Sequence, residues 1–309
     1  MEFSVYLPFL LSGLFGVTAP LLARRLPPAV GTWLLSVGGL LNAAGAAASL
    51  MLLGFTLVAQ SPLLAERGRW SESVLRQSDP VSGWVAGVAL IAFTLLAGRF
   101  LVATFHRMIA LRDAYRLAAS LPPGGELAVI DDAGREAYAV PGRIGRIVVS
   151  SGLLRSLDGD ERRAVLAHER AHLVHRHHLH LAMAHLAAAA NPLLWRLPAG
   201  VALSTERWAD ESAAATCRRD TVARALTQAA TGAPLRLFAT VPAAVLAAAA
   251  NEVLARVHAM NAPAPKLTLW RVGLLVALLV ATTAAVMEAA HDTERLFEMA
   301  QFAYRSGHR

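Results

Sequence analysis

Hydrophobic and polar positions divide the chain into long runs nearly free of charge and a central block where the two classes alternate. Residues 5 to 23, VYLPFLLSGLFGVTAPLLA, are apolar over about the 20 residues that a hydrocarbon layer about 30 Å thick demands. Residues 30 to 60 carry no charge at all and are long enough to cross with tilt. Within them Gly38, Asn42, Gly45 and Ser49 recur at helical spacing, a narrow face of small residues on which another helix can pack closely. A third run covers residues 82 to 104, with Arg99 near its end able to extend to the interface. The fourth, residues 270 to 289, is the weakest: Glu288 cuts it short, and Trp270 and Arg271 precede it as interface anchors.

Between the third and fourth runs the period changes. A basic helix to about Ser120 is broken by LPPGGE. The short β-rich runs ELAVID, EAYAV and GRIVVS, separated by DDAGR and PGRIG, predict a small sheet of about three strands. LDGDE then starts a helix, with Asp158 as the cap and Glu161 reaching back to complete a capping box. This helix is predicted from Gly159 or Asp160 to about Ala190, where Asn191-Pro192 ends it. A second helix follows at ALSTERWADESAAA, after the breaker NPLLWRLPAG. Residues 220 to 260 predict two alanine-rich helices packed over these two, and NAPAPK reads as the linker into the fourth run.

Composition supports a membrane protein. More than half of the 309 residues are apolar and mean hydropathy is positive, more than a soluble core needs. The first run is predicted to be a retained anchor, because Glu2 sits where a cleaved signal peptide needs positive charge and Arg24 and Arg25 follow the apolar stretch. The net charge of +7 is nearly all arginine, scattered among apolar segments. That suits the anionic inner face of a bilayer, and no direct nucleic-acid binding is expected. Arg24 and Arg25 in the first loop, and Arg107, Arg112 and Arg116 against Asp113 after the third run, mark cytoplasmic sides. The second loop, residues 61 to 80, balances its charges. The expectation is a multi-pass protein of the cytoplasmic membrane with both termini outside. Residues 1–105 hold three spans, 106–268 a cytoplasmic domain, and 269–309 the fourth span with a short extracellular tail. A single cysteine, Cys217, excludes an internal disulfide and a multi-cysteine zinc site, so a metal must be held by histidine and carboxylate.

The candidate chemistry lies in RRAVLAHERAHLVHRHHLH, residues 162 to 180, which crowds six histidines into nineteen positions. His168-Glu169-Arg170-Ala171-His172 is the pattern HExxH. His168 and His172 lie one helical turn apart, so both imidazoles can reach one ion, and Glu169 beside them can hold a water and take its proton. Zn²⁺ is the expected cofactor. On the second helix Glu206 and Asp210 share a face four residues apart. One of these carboxylates can bind the ion and the other can orient a ligand imidazole through its free N–H. On a continuous helix His175 lies about 20° from the ligand face and can substitute as a ligand or donate to an oxyanion. His177, His178 and His180 point elsewhere and read as polar-face or interfacial residues.

HERAH followed by Glu206-x-x-Ala209-Asp210 resembles the integral-membrane gluzincin peptidases, which include the heat-shock peptidase HtpX, the CAAX prenyl proteases and the β-lactam sensor-transducers. The run IVVSSGLLRSLDGDERRAVLAHERAHLVHRHH is most similar to the sensor-transducers, as is the order of three spans, peptidase and fourth span, over roughly residues 1 to 290. The resemblance implies a mainly α membrane protein whose cytoplasmic zinc peptidase domain contains a small β-sheet. It makes His168, His172 and Glu206 the zinc ligands, Glu169 the base, and Asp210 a carboxylate behind the ligands. His177 falls five places after His172, where these families carry Asp, Asn or His in support of the site. A strand edge within residues 136 to 150 is implied to bind substrate as an added strand. The implied substrate is a cytoplasmic protein, such as a winged-helix repressor or the enzyme itself. Only about nineteen residues follow the fourth span, where sensor-transducers carry a penicillin-binding domain, so antibiotic sensing by that route is not expected. Two other functions fit the same residues: quality control of membrane proteins, as in HtpX, and a non-catalytic module sensing zinc or pH through its histidines. Within the second helix, Asp210 has the shorter side chain and should stop behind the ligands. Glu211 lies about 140° around from Glu206 and should face away.

Overall fold

In the computed structural model of the chain, which describes residues 4–122, 124–231, 253–263 and 266–307, helices are interrupted by one small sheet. The order is α1 (Leu7–Arg25), α2 (Pro28–Ala59), α3 (Pro62–Gly68), α4 (Glu72–Ser78), α5 (Gly83–Ser120), β1 (Leu127–Ile130), β2 (Ala137–Val140) and β3 (Arg146–Ser150). Then follow α6 (Ser151–Ser156), α7 (Gly159–Val174), α8 (His177–Ala190), α9 (Leu197–Ala214), α10 (Arg219–Thr231), α11 (253–261) and α12 (Leu269–Gly307). Four of these helices, α1, α2, α5 and α12, are long and apolar enough to cross a membrane. Large apolar side chains such as Leu10, Leu14, Ile91, Leu95 and Val280 stand exposed on them, as side chains facing lipid do. Much of the segment expected to hold the second alanine-rich helix, and part of the NAPAPK linker, lie outside the described residues.

The small-residue face of α2 is a packing face. Gly38 lies against Phe15 of α1 and Leu279 of α12, and a Cβ at Gly45 would come within 2.9 Å of Thr282 of α12. Asn42 is buried in the same stripe and donates to the Gly38 carbonyl at 2.9 Å. The loop of α3 and α4 packs on the last turns of α12, with Trp70 edge-on to Phe297 and the Ser71 N–H donating to the Ala300 carbonyl.

Three boundaries differ from expectation. The fourth span was expected to end near residue 289, but α12 continues to Gly307 because Leu296, Phe297 and Ala300 bury themselves on α4 and the end of α2. The expected division at residue 105 falls inside α5, which runs through it and packs Ala114 and Ala118 on the sheet. The single helix expected from Gly159 to Ala190 is two. α7 stops at Val174, and Arg176 takes the left-handed conformation at φ 51° before α8 starts in a new direction. A non-glycine residue there costs roughly 1–2 kcal/mol, which burial of α8's alanine face offsets. Ala184, Ala187 and Ala188 are buried against α1, α2 and α9.

After that break α8, a 3₁₀ turn at Pro192–Leu194 and α9 form a hairpin that enters the helical bundle from one end and does not cross it. His180 Nδ1 lies 2.9 Å from Ser36 Oγ near the start of α2, whereas Ala187 and Leu197 meet Gly39 further in. The hairpin tip rests on Gly16, half-way along α1, where any Cβ would collide with the Leu193 carbonyl. Arg207 then ties α9 to the end of α1 by donating to the Ala23 and Leu26 carbonyls.

The sheet has order β1-β3-β2, with β1 parallel and β2 antiparallel to β3. β3 is buried along its whole length, between the end of α5 on one face and α6 and α7 on the other. That leaves β2 as an edge strand beside α7.

Candidate metal centre

The helix that carries HExxH starts on the expected capping box. Asp158 Oδ1 accepts from the backbone N–H groups of Asp160 and Glu161 at 2.9 and 2.8 Å, and Glu161 Oε2 accepts from the Asp158 N–H at 3.1 Å. Small residues on α7 let it approach its neighbours: Ala164 and Ala171 are buried, and Ala164 packs with Ala213 of α9 and Val222 of α10.

One turn apart on α7, His168 and His172 turn their Nε2 atoms toward each other at 3.2 Å. Glu206 of α9 completes a triangle, its Oε2 3.5 Å from His168 Nε2 and its Oε1 3.5 Å from His172 Nε2. Ligands about 2.0–2.1 Å from a tetrahedral zinc are separated by roughly 3.3–3.4 Å, so the spacing and the donor set of two imidazoles and one carboxylate fit that ion. These three residues are the one group of potential metal ligands found among the described residues.

Each imidazole is held from behind. His168 Nδ1 lies 3.0 Å from Asp210 Oδ1, off the ideal N–H direction, and Asp210 is fully buried. His172 Nδ1 lies 3.0 Å from Nδ1 of His177, which is buried at the first turn of α8. Desolvation, reinforced by the neighbouring histidines, lowers His177 to about 3, so it is neutral and can accept the His172 N–H. That leaves the Nε2 lone pair of His172 facing the site, the tautomer a metal ligand needs. The expectation that His177 points away from the ligand face fails because the helix breaks at Arg176. His180 is buried against Ser36 and Trp33 instead of lying on a polar surface. His175, expected as a possible ligand or oxyanion donor, caps the end of α7 and stacks on Trp208 at 4.2 Å, apart from the triangle.

Arg256 of α11 is the residue that sequence reasoning missed. Its Nε and Nη2 donate to the two Asp210 oxygens at 2.8 and 2.7 Å, and its Nη1 lies 2.9 Å from Glu206 Oε2. Nothing in EVLARVHAM distinguishes this arginine from the others, because its partner is 46 positions away in the chain. Glu211, by contrast, turns from the site to a two-pronged pair with Arg219 at 2.7 and 3.0 Å.

Glu169 lines a cleft of 470 Å³ with Ala137, Tyr138, His168, Glu206 and Arg256. The Ser150 N–H donates to the Glu136 carbonyl, so residues 136, 138 and 140 pair with β3. Ala137 and Ala139 therefore present their N–H and C=O groups on the outer edge of β2. The Ala139 backbone faces the Glu169 carboxylate and favours its charged form. Burial raises the Glu169 carboxyl above its ordinary range, against the opposing charge of His168.

The charges are arranged around the two inner carboxylates. Burial would raise Glu206, but its contact with His168 and the charges of Arg256 and His168 hold it at about 2. Asp210 is lowered in the same way by Arg256 and His168. Burial would lower His168, yet Asp210 and Glu206 raise it to about 9; His172 is lowered by desolvation to about 4. At neutral pH His168 is thus protonated in the metal-free site, and an entering cation must displace that proton. Apparent zinc affinity is expected to rise about tenfold per pH unit up to about pH 9, then level off. Competition titration against a chelator of known protonation checks this, and a flat profile between about pH 7 and 9 would contradict the proton on His168.

Residues 103–256 match the profile of Peptidase family M48, from within α5 through Arg256. Neither a curated protein nor a solved structure matches the chain.

Proposed function

We propose that this protein, whose residues 103–256 match Peptidase family M48, is a membrane-anchored, zinc-dependent endopeptidase. The observation that carries the reading is the triangle of His168, His172 and Glu206, with each imidazole backed by a buried partner and Glu169 beside it at the edge of β2. A set of structural ligands would have no need of a carboxylate held at a strand edge in an open cleft. When bound, the ion supplies Lewis-acid activation of a water and of the scissile carbonyl.

The chain's own residues do the rest. An extended substrate lies along the open edge of β2, pairing with the N–H and carbonyl of Ala137 and with the carbonyl of Ala139, which puts its backbone across the cleft. Glu169, its carboxylate less acidic than usual, accepts a proton from the attacking water and delivers it to the leaving amine. Asp210 and His177 keep the two ligand imidazoles in the tautomers that present Nε2. Arg256 holds Glu206 and Asp210 in place.

For the substrate we propose a cytoplasmic protein, such as a winged-helix repressor or the chain itself. The support is the arginine-rich flank at the site's end of α5 and the resemblance of residues 147–178 to sensor-transducers. The activity is tested with the full chain in detergent and casein as substrate. Cleavage is expected with zinc, is abolished by a chelator, and returns on adding zinc back. Intact casein in the presence of protein shown to hold one zinc per chain would overturn the proposal.

A further inference from the structure

Because α8 ends half-way along α2, the bundle below its tip has a gap. α2 and α5 are parted there by a cavity of 380 Å³, bounded by Ala47 and Leu50 of α2, Phe93 and Phe100 of α5, and Leu186 and Ala190 of α8. Every lining side chain is apolar. Leu186 also lines a second cavity of 280 Å³ between α5 and α8, which opens past Met108 and Leu179 to Arg107 and His178.

The two cavities share Leu186 and follow one another along α5 and α8 as a groove between these helices. On α5 their lining residues recur from Phe93 through Phe100, Thr104, Arg107 and Leu111 to Ala114, at three- and four-residue intervals along one helix face. On α8 they recur at His178, Ala182, Leu186 and Ala190. From Phe93 to Arg107 the groove rises about 21 Å at 1.5 Å per residue. Half of a bilayer about 40–45 Å thick with its headgroups is the same length.

The ends of the groove differ in chemistry as the layers of a leaflet do. Its deep end lies among spanning helices, where the solvent is hydrocarbon. At the shallow end Arg107 is exposed, just past the apolar part of α5, and has no carboxylate partner among the described residues.

We infer that this groove binds one anionic phospholipid of the adjacent leaflet, with an acyl chain in the apolar cavity and the phosphate at Arg107 beside His178. A phosphate there satisfies a cation that the protein leaves unpaired, and hydrocarbon fills a space that the short hairpin leaves empty. The combined volume falls within the roughly 300–1,000 Å³ of small-molecule sites. This site is separate from the metal centre and does not depend on the peptidase reading.

The test uses the full chain with dioleoyl phosphatidylglycerol or dioleoyl phosphatidylcholine as the probe. The protein is loaded in mixed micelles and washed in lipid-free detergent, and the lipid remaining per chain is read by native mass spectrometry. One phosphatidylglycerol per chain is expected to survive, with phosphatidylcholine retained at least about fivefold less. Arg107→Glu should lower phosphatidylglycerol retention at least about tenfold, and Ala97→Phe, which fills the cavity, should lower retention of both lipids. Arg112→Glu, on the same helix but outside the groove, should match wild type. Equal retention of the two lipids, or phosphatidylglycerol unaffected by both groove substitutions, would overturn the inference. So would a photo-crosslinker at position 186 that captures a polypeptide in membranes instead of lipid. Should thermal melting show that either groove variant is unfolded, Arg107→Gln and Ala47→Leu carry the same expectations.

Discussion

Glu169→Gln is expected to keep its zinc and to lose cleavage by at least about a hundredfold, the lower end of what a positioned general base contributes. Glutamine has the same length and shape, and its amide oxygen can still face the Ala139 backbone as the carboxylate does. The strand edge, the helix and the triangle of His168, His172 and Glu206 therefore stay as they are. What is lost is the ability to accept a proton. Zinc content by elemental analysis and casein cleavage by gel assay report the two halves of the expectation separately. The alternative of a non-catalytic zinc- or pH-sensing module makes the opposite forecast, that Glu169→Gln is indistinguishable from wild type. Full cleavage by this variant would sink the mechanism. In cells, the inactive protein should also retain its substrate. A single regulator captured by it supports signalling, whereas many damaged membrane proteins support quality control.

Glu206→Ala should remove most of the bound zinc. The substitution deletes one corner of a triangle with sides of 3.2, 3.5 and 3.5 Å, leaving two imidazoles for an ion that takes at least three protein ligands in catalytic sites. It also strips Arg256 Nη1 of its carboxylate partner, so a guanidinium only 12 % exposed is left beside the ion with Asp210 alone to balance its charge. Asp210→Asn acts more weakly, because His168 stays in place but loses the charge that orients its ring; a loss of roughly 10- to 100-fold in affinity is expected. Glu211→Ala should leave zinc binding unchanged, since its carboxylate is engaged by Arg219 on α10. Zinc titration of the three variants against a fluorescent chelator gives the ranking. Loss of zinc in the Glu211 variant with retention in the Glu206 variant would reverse the ligand assignment.

Much of this protein is legible without coordinates, and the reason is range. A hydrophobic run long enough to cross a bilayer is a property of consecutive residues, so α1, α2 and α5 could be read directly from it. The fourth run was legible only as far as its charge-free part, because the rest of α12 is stabilised by docking on α4. The capping box of Asp158 and Glu161, and the placing of His168 with His172, depend on three- and four-residue spacings that any helix enforces. Glu206 and Asp210 were legible as a pair on one face for the same reason, as was Glu211 turning away.

The sequence by itself determined the helices long and apolar enough to cross a membrane, the helix that presents HExxH and the face of the second helix that offers carboxylates, because each follows from the local pattern of consecutive residues. Only the tertiary structure decided how these meet. Arg256 pairs with Asp210 across 46 residues, a contact made by packing α11 on α9 and invisible in either segment. Arg176 takes a left-handed conformation that its own chemistry disfavours, because the cost is smaller than the gain from burying α8 among α1, α2 and α9. That one turn moves His177 behind His172, takes His175 out of the site, and stops the α8–α9 hairpin half-way into the bundle. Local preferences of about a kilocalorie per mole yield to burial worth several, so the places where the periodic reading failed are those where distant surfaces compete for the same residues.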